Sequence, residues 1–169
     1  EAKELMDVWL AAQKDYERWP SLSVSFVNGQ ELIYTKSFGY ANREGVVKAT
    51  PDTLYSICSN SKLFTAISIM QLRDQGKLSL RDPVNKHLDW YNIKQNFPLS
   101  DEISIEGILS HSSGLPREVD TPYWSGSEDF PFPTREDAIE ITQDQTTLYR
   151  AWEHFQYSNL ALTLAGEIV

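Results

Sequence analysis

Only one cysteine, Cys58, occurs in 169 residues, so no disulfide can close within the chain. That count leaves the redox compartment open. Nor does any stretch approach the roughly 18 consecutive apolar residues that a membrane-spanning helix requires. Internal repeats and low-complexity tracts are absent. Histidine is scarce: His87, His111 and His154 do not pair at metal-ligand spacing, so no metal site is expected. Positive charge is short as well, with 15 Lys and Arg against 24 Asp and Glu, a formal net charge of -9. Such a balance repels phosphate backbones and argues against a nucleic-acid role, while leaving the substrate unspecified. The first residue is Glu1 rather than methionine, which is read as trimming or a boundary; a secretory signal would precede this numbering.

What the chain has is enough apolar material for one packed domain, at 41% hydrophobic and 12% aromatic residues. Charged residues are spread along it, unlike a disordered chain. In residues 2–18, Leu5, Val8, Trp9 and Ala12 recur at helical spacing, predicting an amphipathic opening helix that stops at Trp19-Pro20. Residues 22–27 and 32–38 are rich in β-branched and aromatic types, and Asn28-Gly29 lies between them. Asn-Gly supplies positive φ values, so two antiparallel strands joined by a tight turn are predicted. Residues 53–57 read as a short strand or an extended approach.

Residues 61–75 carry Leu63, Phe64, Ala66, Ile67, Ile69, Met70 and Leu72. These surround the helix instead of forming one stripe, which predicts a helix buried on most sides. Gly76 falls at the C-cap position. A short helix is predicted over 103–110, closed by Gly114 and Pro116. Residues 117–133 are too long and irregular for a plain connection. A helix capped by Thr134 and Asp137 follows over 134–143, and a final apolar helix over 159–169.

The run Ser59-Asn60-Ser61-Lys62 stands at the mouth of the apolar helix. Residues three apart share a helix face, so the hydroxyl and the amine can enter one cleft. The helix N-terminus offers free N–H groups and partial positive charge to a developing oxyanion. An amine buried there is disposed to act as a neutral base toward serine. A capping serine followed by a solvated lysine has the same pattern; the apolarity of the helix behind it argues for chemistry. Tyr157-Ser158-Asn159 precedes another apolar helix. There a phenol can relay protons and an amide can hold a carbonyl, or the pair can be a core tyrosine and a cap.

Together these runs resemble the serine β-lactamase and penicillin-binding protein superfamily. Tyr55-Ser56-Ile57-Cys58-Ser59-Asn60-Ser61-Lys62-Leu63-Phe64-Thr65-Ala66 is similar to its first motif. The likeness continues through Gln71-Leu72 and Gly76-Lys77-Leu78-Ser79-Leu80-Arg81-Asp82-Pro83-Val84. Ile108-Leu109-Ser110-His111-Ser112-Ser113-Gly114-Leu115-Pro116 resembles class C β-lactamases and their esterase and peptidase relatives. Tyr157-Ser158-Asn159 matches that branch's Tyr-x-Asn, where class A enzymes carry Ser-Asp-Asn. The resemblance covers residues from about 22 to the end, with the motifs in family order.

It implies an α/β (α+β) fold in which an antiparallel sheet, flanked by helices and packed by the opening helix, lies beside a mainly helical lobe. The cleft would lie between them. It further implies that Ser59 forms the acyl-enzyme, Lys62 takes its proton, Tyr157 shares the transfer and Asn159 orients Lys62 and the substrate amide. The Ser59 N–H would supply half the oxyanion hole, and no cofactor is implied. The substrate would be an ester, a D-amino-acid peptide or a β-lactam, with esterase or peptidase favoured over a dedicated β-lactamase. Periplasmic, secreted or cell-surface location is the family habit. The family's third motif, Lys/His-x-Gly, is missing, since the chain ends ten residues after Asn159. Residues 1–169 are therefore expected to be the N-terminal portion of a single domain, lacking the later strands and needing the remainder or a complementing chain. A non-catalytic binding module on the same scaffold is the competing reading. A plain interaction domain with chance motifs would instead leave Lys62 exposed and far from Tyr157.

Other residues carry weaker expectations. Tyr123 and Trp124, with Phe130 and Phe132, are candidates to line a substrate mouth or to pack on their own domain. Cys58 is expected to be a buried structural thiol and His111 part of the Gly114 turn, not of a Ser-His-Asp triad. Glu128, Asp129, Glu136 and Asp137 read as a solvated face.

Overall fold

The computed structural model describes residues 1–42, 44–120 and 133–169. They form two compact units, Glu1–Ser56 and Ile57–Val169. Tyr123, Trp124, Glu128, Asp129, Phe130 and Phe132 lie outside the described residues.

In the first unit, helix α1 spans Ala2–Tyr16, with Glu4 in its first turn and Lys14 in its last, the arrangement the helix dipole favours. It ends before Trp19-Pro20, because Arg18 turns into the left-handed region at φ 57. The Trp19 N–H then reaches back to the Lys14 carbonyl at 3.0 Å. Strands β1 (Ser21–Asn28) and β2 (Glu31–Gly39) pair antiparallel, with Ser21 opposite Gly39 and Asn28 opposite Glu31. The turn therefore sits one residue later than predicted. Gly29 and Gln30 form it, and Gly29 takes the positive φ of 61 that a side chain would resist. A register shift after Phe26 makes Ile33 the extra residue of a bulge. On β2, Tyr34 and Lys36 donate to the Asp7 carboxylate of α1, at 2.7 and 3.0 Å. The predicted apolar stripe of α1 is not its packed face: Leu10 is buried, while Leu5, Val8 and Trp9 are exposed. Asp7, one position away from Val8, turns toward β2 because its carboxylate is the acceptor two strand donors share. Residues 53–57 form no strand.

The second unit is built on helices α2 (Ser61–Asp74), α3 (Ile105–Leu109), α4 (Arg135–Gln143) and α5 (Asn159–Ile168). Gly76 closes α2 as predicted, with the Lys77 N–H donating to the Leu72 carbonyl at 3.0 Å. Thr134 and Asp137 form the predicted capping box on α4. The core gathers Ile69, Val84, Ile105, Ile108 and Leu115 around Leu160, Ala161, Leu162, Leu164 and Ala165 of α5. The buried helix is thus α5. In α2 only Ile69 is buried, and Leu63, Phe64 and Ile67 are more than half exposed. The expectation of a helix enclosed on most sides is corrected accordingly. Its all-round apolarity is real, but the described part of this unit covers one side, the side that meets α5. Among the described residues no helix is long and apolar enough to cross a membrane.

Candidate active site

A short 3-10 turn, Cys58–Asn60, leads into α2, so Ser59 sits just ahead of the α-helix rather than within its first turn. Cys58 adopts φ 47, a left-handed conformation that costs a non-glycine residue energy and that clusters at functional sites. It is exposed, not a buried thiol as expected, because the turn that presents Ser59 carries Cys58 outward with it.

The side chains of Ser59, Lys62 and Tyr157 meet. Lys62 Nζ donates to Ser59 Oγ at 3.1 Å, and the Tyr157 hydroxyl donates to the same oxygen at 2.8 Å. Lys62 Nζ also lies 5.0 Å from the centroid of the Tyr157 ring. Lys62 is half-buried and Ser59 exposed. A chance-motif interaction domain, with Lys62 remote from Tyr157, does not describe this arrangement. Lys62 and Asn159 border one hollow of about 250 Å³ with Ser61, Thr65, Leu162 and Thr163.

Tyr157 arrives from 98 residues away because the loop after α3 cradles the segment that bears it. The His111 carbonyl accepts from Gln156 N–H at 2.8 Å, that of Ser112 from Trp152 at 2.7 Å and that of Arg117 from Asn159 at 2.7 Å. Ser158, fully buried, caps α5 by accepting from the Ala161 N–H at 2.9 Å while its hydroxyl donates to the Pro116 carbonyl at 2.6 Å. Removing that hydroxyl exposes two backbone groups at once. Ser158→Ala is expected to lower the unfolding free energy by about 1–2 kcal/mol, read by urea titration of the full-length protein. A midpoint equal to wild type would deny the cap its role.

Charge is concentrated around the phenol. Arg117 Cζ lies 5.0 Å from the Tyr157 ring centroid. The hydrogen bond from Lys62, that with Ser59 and the positive charges of Lys62 and Arg117 hold the Tyr157 phenol below its usual range, against the opposing effect of burial. Burial, then the Lys62 charge, pushes the His111 imidazole below its usual range.

Asn159 is held by a carboxylate. Its amide nitrogen donates to both carboxylate oxygens of Glu118, at 2.7 and 3.0 Å, and Glu118 also pairs with Arg117 Nε at 3.2 Å. A carboxylate in reach is a stronger acceptor for that N–H₂ than any neutral group, which is why the amide turns to it. Glu118, Arg117 and the ring of His111 were not among the residues singled out for the site. A signal existed only in position, since all three flank the Gly114-Leu115-Pro116 turn. His111 belongs to that turn, as expected, with φ 59. Its Nδ1 accepts from the Ser158 N–H at 3.1 Å, a bond to the backbone and not to the Ser59 hydroxyl as a triad would need.

The Beta-lactamase family pattern matches residues 6–169. Protein flp of Staphylococcus aureus is 30% identical over 150 residues, which cover 89% of this chain and 29% of that protein. The Teichoic acid D-alanine hydrolase of Staphylococcus aureus is 31% identical over 120 residues, covering 66% of this chain and 29% of that one. Among solved structures, the octameric penicillin-binding protein homologue from Pyrococcus abyssi superposes with a TM-score of 0.81 at 31% identity, over 98% of this chain and 38% of its own. The chain thus spans less than a third of the length of these two curated relatives. Its fold is the β-lactamase/transpeptidase-like one, and with its family pattern running nearly end to end the chain belongs to the Beta-lactamase family.

Proposed function

We propose that this chain supplies the nucleophile and the proton-transfer pair of a serine hydrolase that works through an acyl-enzyme. The observation that carries the reading is the meeting of Lys62 Nζ and the Tyr157 hydroxyl on a single oxygen, Ser59 Oγ. Two donors on one hydroxyl oxygen favour negative charge there, and a phenol held below its usual range yields its phenolate more readily, the form that takes up the proton that oxygen releases. The Ser59 oxygen then bonds to the substrate's carbonyl carbon, its proton passing to the Lys62–Tyr157 pair. Collapse of the tetrahedral intermediate breaks the bond to the leaving group, which departs with that proton. Water, deprotonated by the same pair, cleaves the ester and returns the proton to Ser59 Oγ.

Asn159, anchored by its amide nitrogen to Glu118, keeps its carbonyl oxygen for a substrate N–H. Tyr123 and Trp124 remain candidates for the substrate mouth. The substrate class is an ester, a D-amino-acid peptide or a β-lactam, and the relative named as a hydrolase of teichoic-acid D-alanine favours a D-alanyl carbonyl. The limited coverage of the relatives supports reading residues 1–169 as the N-terminal portion of one hydrolase domain, with extracytoplasmic location as the family expectation.

The test is covalent. The full-length protein treated with a fluorophosphonate or a fluorescent penicillin is expected to gain one adduct on Ser59, found by peptide mass spectrometry and abolished in Ser59→Ala. Absence of an adduct with both probes would favour a non-catalytic binding module.

A further inference from the structure

The proton transfer just described gives His111 no part, yet its ring touches both Tyr157 and the backbone that carries it. The imidazole stacks on the Tyr157 ring at 4.6 Å between centroids, tilted by 33°. Its Nδ1 accepts from the N–H of Ser158, the next residue, at 3.1 Å, and its carbonyl accepts from Gln156, the residue before, at 2.8 Å. The ring edge of Phe155 closes a further side at 5.7 Å. One residue therefore holds the segment 155–158 at both ends of the phenol's own residue. It does so from φ 59, a conformation that histidine tolerates only at an energetic cost.

We propose that His111 is a positioning residue: its uncharged ring, accepting the Ser158 N–H and stacked on Tyr157, holds the phenol against Ser59 Oγ. The proposal rests on the reading of Tyr157 as a proton-transfer group.

The chemistry sets a condition on protonation. An Nδ1 that accepts from a backbone N–H carries no proton, so the neutral ring holds its hydrogen on Nε2. A second proton would put two donors face to face at 3.1 Å and add a third cation to a stack that already has Lys62 and Arg117, each 5.0 Å from the Tyr157 centroid. Burial and the Lys62 charge depress this imidazole, so it is neutral at pH 7. The unfolded chain protonates it at higher pH than the folded chain does. Between those two pH values the unfolded state holds more protons, and stability falls as pH falls. Below the lower of those values the folded ring itself charges, and loss of the acceptor there lets Tyr157 leave Ser59, so acylation is expected to fall on the acid side.

Two variants separate positioning from packing, with saturation kinetics of Ser59 labelling by a fluorophosphonate followed against pH in the full-length protein. His111→Ala is expected to slow the saturating labelling rate by ~10²-fold, the usual consequence of misplacing a group by an ångström, while half-saturation is unchanged. His111→Asn keeps an acceptor in the same place and tolerates positive φ, so it is expected to restore most of that rate and to lose the acid fall assigned to the imidazole. Wild-type rates for His111→Ala across the pH range would overturn the proposal, as would His111→Asn falling as far as His111→Ala. Should wild-type Ser59 take no label, the nucleophile reading fails by itself. The positioning claim is then decided by the ¹⁵N amide resonance of Ser158. Movement of that resonance on acidification in wild type but not in His111→Asn supports the claim; a resonance unmoved in wild type overturns it.

Discussion

Lys62→Met slows acylation of Ser59 by about 10³-fold, within the range that general acid–base catalysis contributes. Methionine keeps the unbranched apolar stem and deletes only the amine. Two things go with it: the donor at 3.1 Å from Ser59 Oγ, and one of the two cations that lie 5.0 Å from the Tyr157 ring. The second loss has a signature of its own. The Lys62 hydrogen bond is the largest cause holding the phenol below its usual range, so without it the phenolate forms only at higher pH. Residual labelling in Lys62→Met is therefore expected to climb with pH further into the alkaline range than wild type does. Lys62 is half-buried and packs no core, so the thermal midpoint should change little. Stopped-flow labelling with a fluorogenic phosphonate measures both the drop and the shifted profile. A rate within tenfold of wild type would remove Lys62 from the machinery.

Gly114→Ala is expected to cost the fold about 3 kcal/mol or more, from two additive causes. At φ 77 a side chain meets its own carbonyl, worth roughly 1–2 kcal/mol. The new Cβ would also lie 2.2 Å from the Tyr149 carbonyl oxygen and 3.0 Å from its carbon, and overpacking of this kind adds roughly 1–3 kcal/mol. Neither atom can swing aside like a side-chain tip. Both are backbone, and the Gly114 carbonyl is held in turn by the Leu148 N–H at 2.8 Å. Because this loop cradles the segment bearing Tyr157, labelling of Ser59 should fall together with stability. Gly166→Ala is the control: nothing lies within 4 Å of its Cβ and it sits inside α5, so it should be neutral or mildly stabilising. Chemical denaturation of the full-length protein compares the two, and a Gly114→Ala midpoint equal to that of wild type would refute the close-approach argument.

Local chemistry explains which elements were legible. Capping residues act within a turn, so Thr134 with Asp137 and Gly76 after α2 could be placed from neighbours alone. The hairpin was legible too, although the turn shifted by one residue, since pairing and the bulge at Ile33 decide which two residues remain unpaired. Burial was not. The apolar residues of α2 and the stripe of α1 look alike in composition, yet one residue of each is buried, Ile69 and Leu10. Periodicity reports which faces are apolar, and not what stands against them.

The same division runs through the site. That Ser59 and Lys62 share a side is a property of helical repeat, three residues apart, and it was readable as such. The order and spacing of the motifs identified the family on their own. Convergence of Tyr157 on that oxygen, the capture of the Asn159 amide by Glu118 and the stacking of His111 on the phenol belong to the tertiary structure. They join residues 41 to 98 positions apart, through backbone bonds of a loop whose course depends on how α3 and α5 pack. No local rule encodes such distances, because long-range contacts are chosen by the packing of the whole unit and not by the preferences of the segments that meet.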